Sequence, residues 1–184
     1  NPSNHRFDDY DARAKGYWAI FAGAAGHTYG NNVVWQFYEE GMAQRFHLEA
    51  WRDWEDEVNN PSAHHMGYLR ELVESRPLLK REPYQDILAS GVMNNEEYAI
   101  ATRANDRSYA IIYIPTPRTI AVRQDRLSGD QIQAWWYDPR TGTANNAGVH
   151  DKTQKSFTPP TDGSRDDWVL VLDDTSAGYG TPGS

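Results

Sequence analysis

The hydrophobic pattern of this chain changes near residue 76 of its 184 residues. Before that position apolar residues recur at spacings of three and four, as on one face of a helix, and after it they alternate with a period of two, as on a strand. The length fits one large domain or two small ones. The pattern therefore predicts a helical piece of about 76 residues followed by a β domain of about 100 residues.

The first part of the chain carries the pattern of three helices, at Asp9–Ala25, at His47–Asn59, and from Asn60-Pro61 to about Ser75. Gly26 is expected to end the first helix, and Pro77 stops the third because proline lacks the N–H donor that a helix needs. Between the first two helices, the stretch from Gly26 to Trp35 predicts a short strand and an irregular loop. A lone strand leaves its backbone groups unpaired, so this part of the chain is expected to be incomplete.

After residue 76 the pattern predicts six short strands, at Tyr98–Arg103, Ser108–Pro115, Thr119–Arg123, Gln131–Tyr137, Ser156–Thr158 and Trp168–Leu172. Strands that follow one another at about 8–12 residues indicate an antiparallel sandwich. The strand at Ser108–Pro115 is apolar on both faces and should be central. Of the adjacent Trp135 and Trp136, one should face the core and the other an interface with the helical piece, although a ligand platform is the alternative. Pro77–Asn95 is predicted to be an irregular linker, and Thr175–Ser184 a disordered tail.

Composition excludes several classes of function. Lys and Arg number 18 against 26 Asp and Glu, a net charge of −8, whereas nucleic-acid binding needs a basic surface. No apolar run reaches the roughly 18–20 residues of a membrane-spanning helix. The absence of Cys excludes disulfides and thiolate metal sites. His64 and His65 are adjacent and would point apart on a helix, so neither a metal site nor a cofactor is predicted.

Three segments together carry a resemblance to a known family. They are Tyr17–Gly30 with Trp35-Gln36, then Leu72-Val73-Glu74-Ser75-Arg76-Pro77 with Arg81, Pro83 and Gln85, then Ala134–Gly142 closed by Asp167–Leu172. In this order they resemble the C-terminal portion of apiosidase-like glycoside hydrolases, over a stretch from about Phe7 to Asp174. Proteins of that family pair a (β/α)8 barrel with a C-terminal β-sandwich domain that is named as collagen-binding.

The resemblance implies a fold class and a layout. The fold class would be α/β plus all-β, with the last units of a (β/α)8 barrel followed by an antiparallel β-sandwich. Residues 1–76 would be the C-terminal part of the barrel, with Asp9–Gly26 as its seventh helix and Gly26–Gly30 as its eighth strand. Residues 77–174 would be the sandwich and residues 175–184 the tail.

The resemblance also implies an activity. The acid/base and nucleophile carboxylates of the family are expected outside this chain, so it would be an enzyme only with an N-terminal barrel portion, which a separate chain could supply. The substrates would be polysaccharides with furanosidic or related sugars, and the location secreted or periplasmic.

Five residues would bind substrate in this layout: His27, Tyr29, Asn31, Trp35 and Arg13. His27 and Tyr29 would lie at the C-terminal end of a barrel strand, where barrel active sites lie, unless His27 is a structural residue of a packed barrel. Trp35 could stack on a sugar ring or pack in its loop. Asn31 fits either hydroxyl binding or turn chemistry, and Arg13 either pairs with an acidic residue near the barrel mouth or lies on the surface.

Two further expectations concern the acidic residues and a rival function. Glycoside hydrolysis needs two carboxyl groups that face each other across the scissile bond. Surface positions are predicted instead for Glu39, Glu40, Asp53, Glu55, Asp56 and Glu57.

The rival interpretation is a non-catalytic carbohydrate- or collagen-binding module, in which the β domain would carry the ligand surface.

Overall fold

The computed structural model describes residues 7–43, 52–153 and 155–184, which are arranged in three layers. A pair of helices covers one face of a six-stranded antiparallel sheet, and a three-stranded antiparallel sheet covers the other face. Each face of the large sheet is apolar and must be removed from water, so one apolar cluster fills each of the two spaces between the layers. The predicted fold class, α/β plus all-β, is confirmed as a mixed helix and strand fold in which an antiparallel sandwich follows the helical segment.

The α-helices of the described residues are α1 (Asp9–Phe21), α2 (Asn32–Gln36), α3 (Trp54–Glu57) and α4 (Pro61–Glu74). Helix α1 is shorter than predicted, because the chain leaves it through Gly23 at a φ of 99°, a conformation open to glycine. Helix α4 begins as predicted, since the Asn60 side chain accepts the backbone N–H of Ala63 at 3.1 Å. The predicted helix at His47–Asn59 lies partly outside the described residues, and within them only α3 is helical.

The segment from Val33 to Trp35 is helical, whereas the sequence predicted a short strand and an irregular loop across residues 26–35. The Asn31 side-chain oxygen accepts the backbone N–H groups of Val33 at 2.9 Å and Val34 at 3.3 Å, which caps α2. Residues 26–30 contain no strand either, contrary to the layout that the resemblance implied. A strand requires a hydrogen-bonded neighbour, and every described strand belongs to one of the two sheets after residue 80.

The strands are β1 (Arg81–Pro83), β2 (Leu88–Ser90), β3 (Ile100–Ala104), β4 (Tyr109–Ile114), β5 (Ile120–Val122), β6 (Gln131–Asp138), β7 (Thr143–Asp151), β8 (Lys155–Phe157) and β9 (Trp168–Asp174). The large sheet has the order β1-β3-β4-β9-β6-β7 and the small sheet the order β2-β5-β8. All six predicted strands are present, within two residues at each end. The sequence missed β1 and β2, which are three residues long, and β7, a polar edge strand paired only with β6.

Strand β4 is buried on both faces, which confirms its predicted central position. Its two sets of side chains enter the two clusters, Tyr109, Ile111 and Tyr113 on the helix side and Ala110, Ile112 and Ile114 on the side of the small sheet. The Trp pair of β6 divides in the same way. Trp136 lies between the two sheets, and Trp135 packs against the cluster beneath the helices, so the interface expected for one of them is confirmed.

Helices α1 and α4 run parallel to each other. Three contacts pair residues in the same order along both helices: Asp9 with Ser62, Arg13 with His65, and Gly16 with Leu69. At a rise of roughly 1.5 Å per residue, the 13 residues of α1 are about 20 Å long. The connection between the two helices must therefore run back along that whole length before α4 can begin.

The last ten residues lie against the large sheet and the helices, so the disorder predicted for Thr175–Ser184 is wrong. The Tyr179 ring meets the Tyr109 ring edge-on at 5.9 Å, and the Gly180 carbonyl accepts a hydrogen bond from Arg76 at 2.9 Å. A composition rich in small and polar residues does not reveal such contacts, because they involve partners more than 60 residues away in the chain.

Candidate functional site

A chain of hydrogen bonds connects the loop after α1 to the start of α4. The Tyr29 hydroxyl donates to Oδ1 of Asn60 at 3.2 Å, and Nδ2 of Asn60 donates to Oε2 of Glu57 at 3.1 Å. The same Glu57 oxygen accepts Nδ2 of Asn31, also at 3.1 Å. Two of the five predicted site residues, Tyr29 and Asn31, are thus brought together at the N-terminal end of α4.

Glu57 is 8% exposed, so the surface position predicted for it is wrong. Two side-chain amides occupy its Oε2 atom, and Arg52 lies 3.5 Å from its Oε1 atom. A buried carboxylate of this kind needs such donors, because an unpaired buried charge is strongly unfavourable. The other acidic residues of this segment are exposed as predicted, namely Glu39, Glu40, Asp53, Glu55 and Asp56. Glu57 therefore holds the loop in place.

His27 and Trp35 lie on the exposed side of this segment. The His27 side chain is exposed, two residues before Tyr29. Trp35 is on α2, the helix that Asn31 caps, and is 60% exposed. Phe37 follows at 64% exposure and meets the Trp54 ring edge-on at 5.3 Å. Exposed aromatic side chains beside polar groups offer the two kinds of contact that sugars make, stacking on the ring face and hydrogen bonds to hydroxyls.

Arg13 lies away from this segment, buried between α1 and the sandwich. Its Nε and Nη2 atoms donate to the two carboxylate oxygens of Asp167 at 2.8 and 2.6 Å, and its Nη1 atom lies 2.9 Å from Nδ1 of His65. The Tyr113 hydroxyl also donates to Asp167, at 2.9 Å. Burial lowers the pKa of Arg13, but the hydrogen bond and charge of Asp167 raise it overall. The guanidinium is committed to the protein interior, which argues against the predicted contact with substrate.

A second buried ion pair joins the end of α4 to the other end of β9. Arg76 donates to Asp173 from Nε at 3.2 Å and from Nη2 at 2.6 Å. Burial raises the pKa of Asp173, against the opposing effect of Arg76. Asp167 and Asp173 are six residues apart, and alternate residues of a strand share a face, so both carboxylates point towards the helices. Sequence reasoning offered an acidic partner for Arg13 as one of two interpretations but did not name Asp167, and it missed the pair of Arg76 and Asp173 altogether, although this even spacing was a usable signal.

Neither a metal centre nor a membrane-crossing element is found in the described ranges. Within residues 7–43, 52–153 and 155–184, no group of three or more metal-ligating side chains converges. The neighbouring histidines diverge as predicted, with His64 exposed and His65 buried. None of the helices in the described part of the chain combines the length and the apolarity that a membrane crossing requires.

Two family models match consecutive parts of the chain. Residues 1–80 match "Apiosidase-like, catalytic domain", and residues 83–173 match "Putative collagen-binding domain of a collagenase". No curated protein matches the chain.

Two solved structures are similar over almost all of it. One, titled "Glycoside hydrolase", has 34% sequence identity and a TM-score of 0.87 over 96% of this chain. The other, a glycoside hydrolase family 5 protein from Bacteroides vulgatus, has 31% identity and a TM-score of 0.88 over 96% of this chain. The chain spans 39% and 38% of the length of these two structures. The order of the family matches and the agreement of the folds identify this chain as similar to the C-terminal portion of apiosidase-like glycoside hydrolases.

Proposed function

We propose that this chain supplies one side of the substrate cleft of a glycoside hydrolase that acts on polysaccharides with furanosidic or related sugars. The catalytic carboxylates come from a preceding portion of the catalytic domain, in the same protein or on a separate chain, and the sandwich is an accessory domain. The observation that carries this proposal is the hydrogen-bonded network at the start of α4. This network holds Tyr29 and Asn31, which follow the exposed His27 closely in the sequence.

The parallel pair of helices supports a place for this network on the catalytic face. In a (β/α)8 barrel consecutive helices run parallel, and the active site opens at the end where the helices begin. Asp9 and Ser62, joined at 2.6 Å, put the starts of α1 and α4 at one end of the molecule. Asn60 caps α4 at that same end, and its amide belongs to the network that holds Tyr29.

The positions of the acidic residues in the helical segment support the proposal that the catalytic carboxylates lie outside this chain. The two carboxyl groups of a glycosidase face each other about 5–9.5 Å apart, and one of them must be able to give up a proton. Glu57 is buried and already accepts hydrogen bonds from Asn31 and Asn60. The remaining carboxylates among residues 22–43 and 52–60 are exposed.

The test is the variant His27→Ala in the complete hydrolase, assayed on a panel of furanosides. We expect turnover to fall by about 10²-fold or more, because an imidazole that assists proton transfer contributes on that scale. His64→Ala is the matched control, since His64 is an exposed histidine on the outer part of α4 and should leave turnover unchanged. Unchanged turnover in His27→Ala would assign His27 a structural role, and hydrolysis by this 184-residue chain alone would refute the external carboxylates.

A non-catalytic binding module is the second candidate, favoured by the family match of residues 83–173 to a domain named for collagen binding. Against it, every aromatic side chain in that range is buried or half-buried, so none forms an exposed stacking platform. Retention of this chain on immobilised collagen or arabinan would support the module, and passage through both columns would remove it. This binding assay needs no catalytic portion and therefore separates the two candidates.

A further inference from the structure

The buried cluster at the start of β9 contains a histidine whose protonation state is fixed by its neighbour. Nη1 of Arg13 lies 2.9 Å from Nδ1 of His65. A guanidinium carries only donors and stays protonated in proteins. The Nδ1 atom must therefore accept, which requires a neutral imidazole with its proton on Nε2. His65 is 7% exposed and Arg13 is 3% exposed, so water cannot easily separate them.

The surroundings of His65 contain charges of both signs. The groups that face it or line the same shallow pocket are Asp8 just before α1, Asp9, Tyr10 and Arg13 on α1, Tyr68 on α4, and Tyr113, Arg140 and Asp167 on the sandwich. Asp167 is already shared between Arg13 and Tyr113, and Arg140 is held by Asp138 and Asp166. Burial is the largest effect on the pKa of His65 and lowers it, Arg13 lowers it further, and Asp9 and Asp167 only partly oppose them.

We propose that Arg13, His65 and Asp167 form a pH-sensitive clamp that fastens the paired helices α1 and α4 to the sandwich. Near neutral pH the imidazole accepts from Arg13 and orients the guanidinium towards Asp167. Protonation of His65 replaces this hydrogen bond by a contact between two cations, whose repulsion Asp9 and Asp167 only partly offset. The helix pair then loosens from the sandwich at the Asp167 end of β9.

The two ends of β9 should respond differently as the pH falls below about 6.5. Arg76 and Asp173 hold the other end, where the hydrogen-bond partners of Arg76 are Asp173, Ser75 and Gly180, with no histidine among them. Acidification should therefore release the starts of α1 and α4 while the end of α4 stays attached. This clamp does not depend on the proposed hydrolase activity, since every residue of it lies in this chain.

The experiment is hydrogen–deuterium exchange of the 184-residue chain between pH 7.5 and pH 5.5, corrected for intrinsic exchange, with His65→Gln and His64→Gln beside the wild type. The folded-state pKa of His65 is depressed, so the stability that it contributes is present above about pH 6.5 and is lost as the pH falls through its folded-state value. We expect the population of molecules that are open to exchange around residues 9–13 and 61–66 to increase by about tenfold for each unit by which the folded-state and unfolded-state pKa values of His65 differ. Glutamine keeps an oxygen acceptor and cannot titrate, so His65→Gln should abolish the increase.

His64→Gln should retain the wild-type increase, because His64 is exposed. The proposal is overturned if His65→Gln keeps the wild-type pH dependence, or if the wild type opens equally at residues 72–76. An NMR titration of the His65 ring provides the second measurement. A ring that becomes protonated while residues 9–13 stay protected would also overturn the clamp, even if the glutamine variant were too unstable to measure.

Discussion

The ion pair between Arg76 and Asp173 should contribute far more to stability than the exposed pairs on the helices, and Arg76→Met tests this directly. The two side chains are 0% and 4% exposed and lie 2.6 Å apart. Methionine keeps most of the volume but leaves a buried carboxylate unpaired. Breaking a buried pair by removing one partner costs about 3–5 kcal/mol. At roughly 2–4 °C per kcal/mol for a chain of this size, the Tm should fall by roughly 6–20 °C.

Two further variants separate the charge from the packing. Arg70→Met removes an exposed pair with Glu74, 76% and 51% exposed, and should cost no more than about 0.5 kcal/mol. Arg76→Met combined with Asp173→Leu removes both charges and should recover most of the loss, because a buried pair replaced by apolar residues is often neutral. Thermal and urea unfolding of the wild type and these variants, followed by circular dichroism, supply the measurements.

The pH dependence gives a second check on the same pair. Burial already raises the pKa of Asp173, and loss of the Arg76 charge should raise it further. A carboxylate with a raised folded-state pKa favours folding at low pH and loses this effect as the pH rises through that value. The loss of stability of Arg76→Met relative to the wild type should therefore be largest at neutral pH. The reasoning fails if Arg76→Met costs no more than Arg70→Met, or if adding Asp173→Leu lowers stability further.

Two other perturbations have expected outcomes. Gly142→Ala should destabilise the chain by roughly 1–3 kcal/mol in urea unfolding, because Gly142 has a φ of 72° and a Cβ there would lie 2.6 Å from the Tyr68 ring. Gly67→Ala on α4 should instead stabilise the chain by about 0.5–1 kcal/mol, since a Cβ there meets no atom within 4 Å. Equal effects of the two substitutions would contradict this reasoning. Asp106→Asn should flatten the acid unfolding curve between about pH 4 and pH 2. Hydrogen bonds from Lys80 and Ser108 hold the pKa of Asp106 at about 2, so its contribution is lost as the pH falls through that value. An unchanged curve would show that this carboxylate does not contribute.

The sequence alone predicted those parts of the fold whose evidence is local. Apolar residues on both faces of Ser108–Pro115 required a central strand, because side chains alternate between the two faces of a sheet. Asn60 and Pro61 predicted the start of α4 through capping and a preset backbone angle. In the candidate site, turn chemistry at Asn31 was one of two open interpretations, and its side chain caps α2.

Only the tertiary structure decided which distant residues meet. Arg13 and Asp167 are 154 residues apart, and nothing near either one indicates the other. Glu57 has the same local pattern as its exposed acidic neighbours, yet it is buried because the loop brings Asn31 and Asn60 to it. Periodicity records which face of an element is apolar, whereas burial and charge pairing depend on what the rest of the chain places against that face.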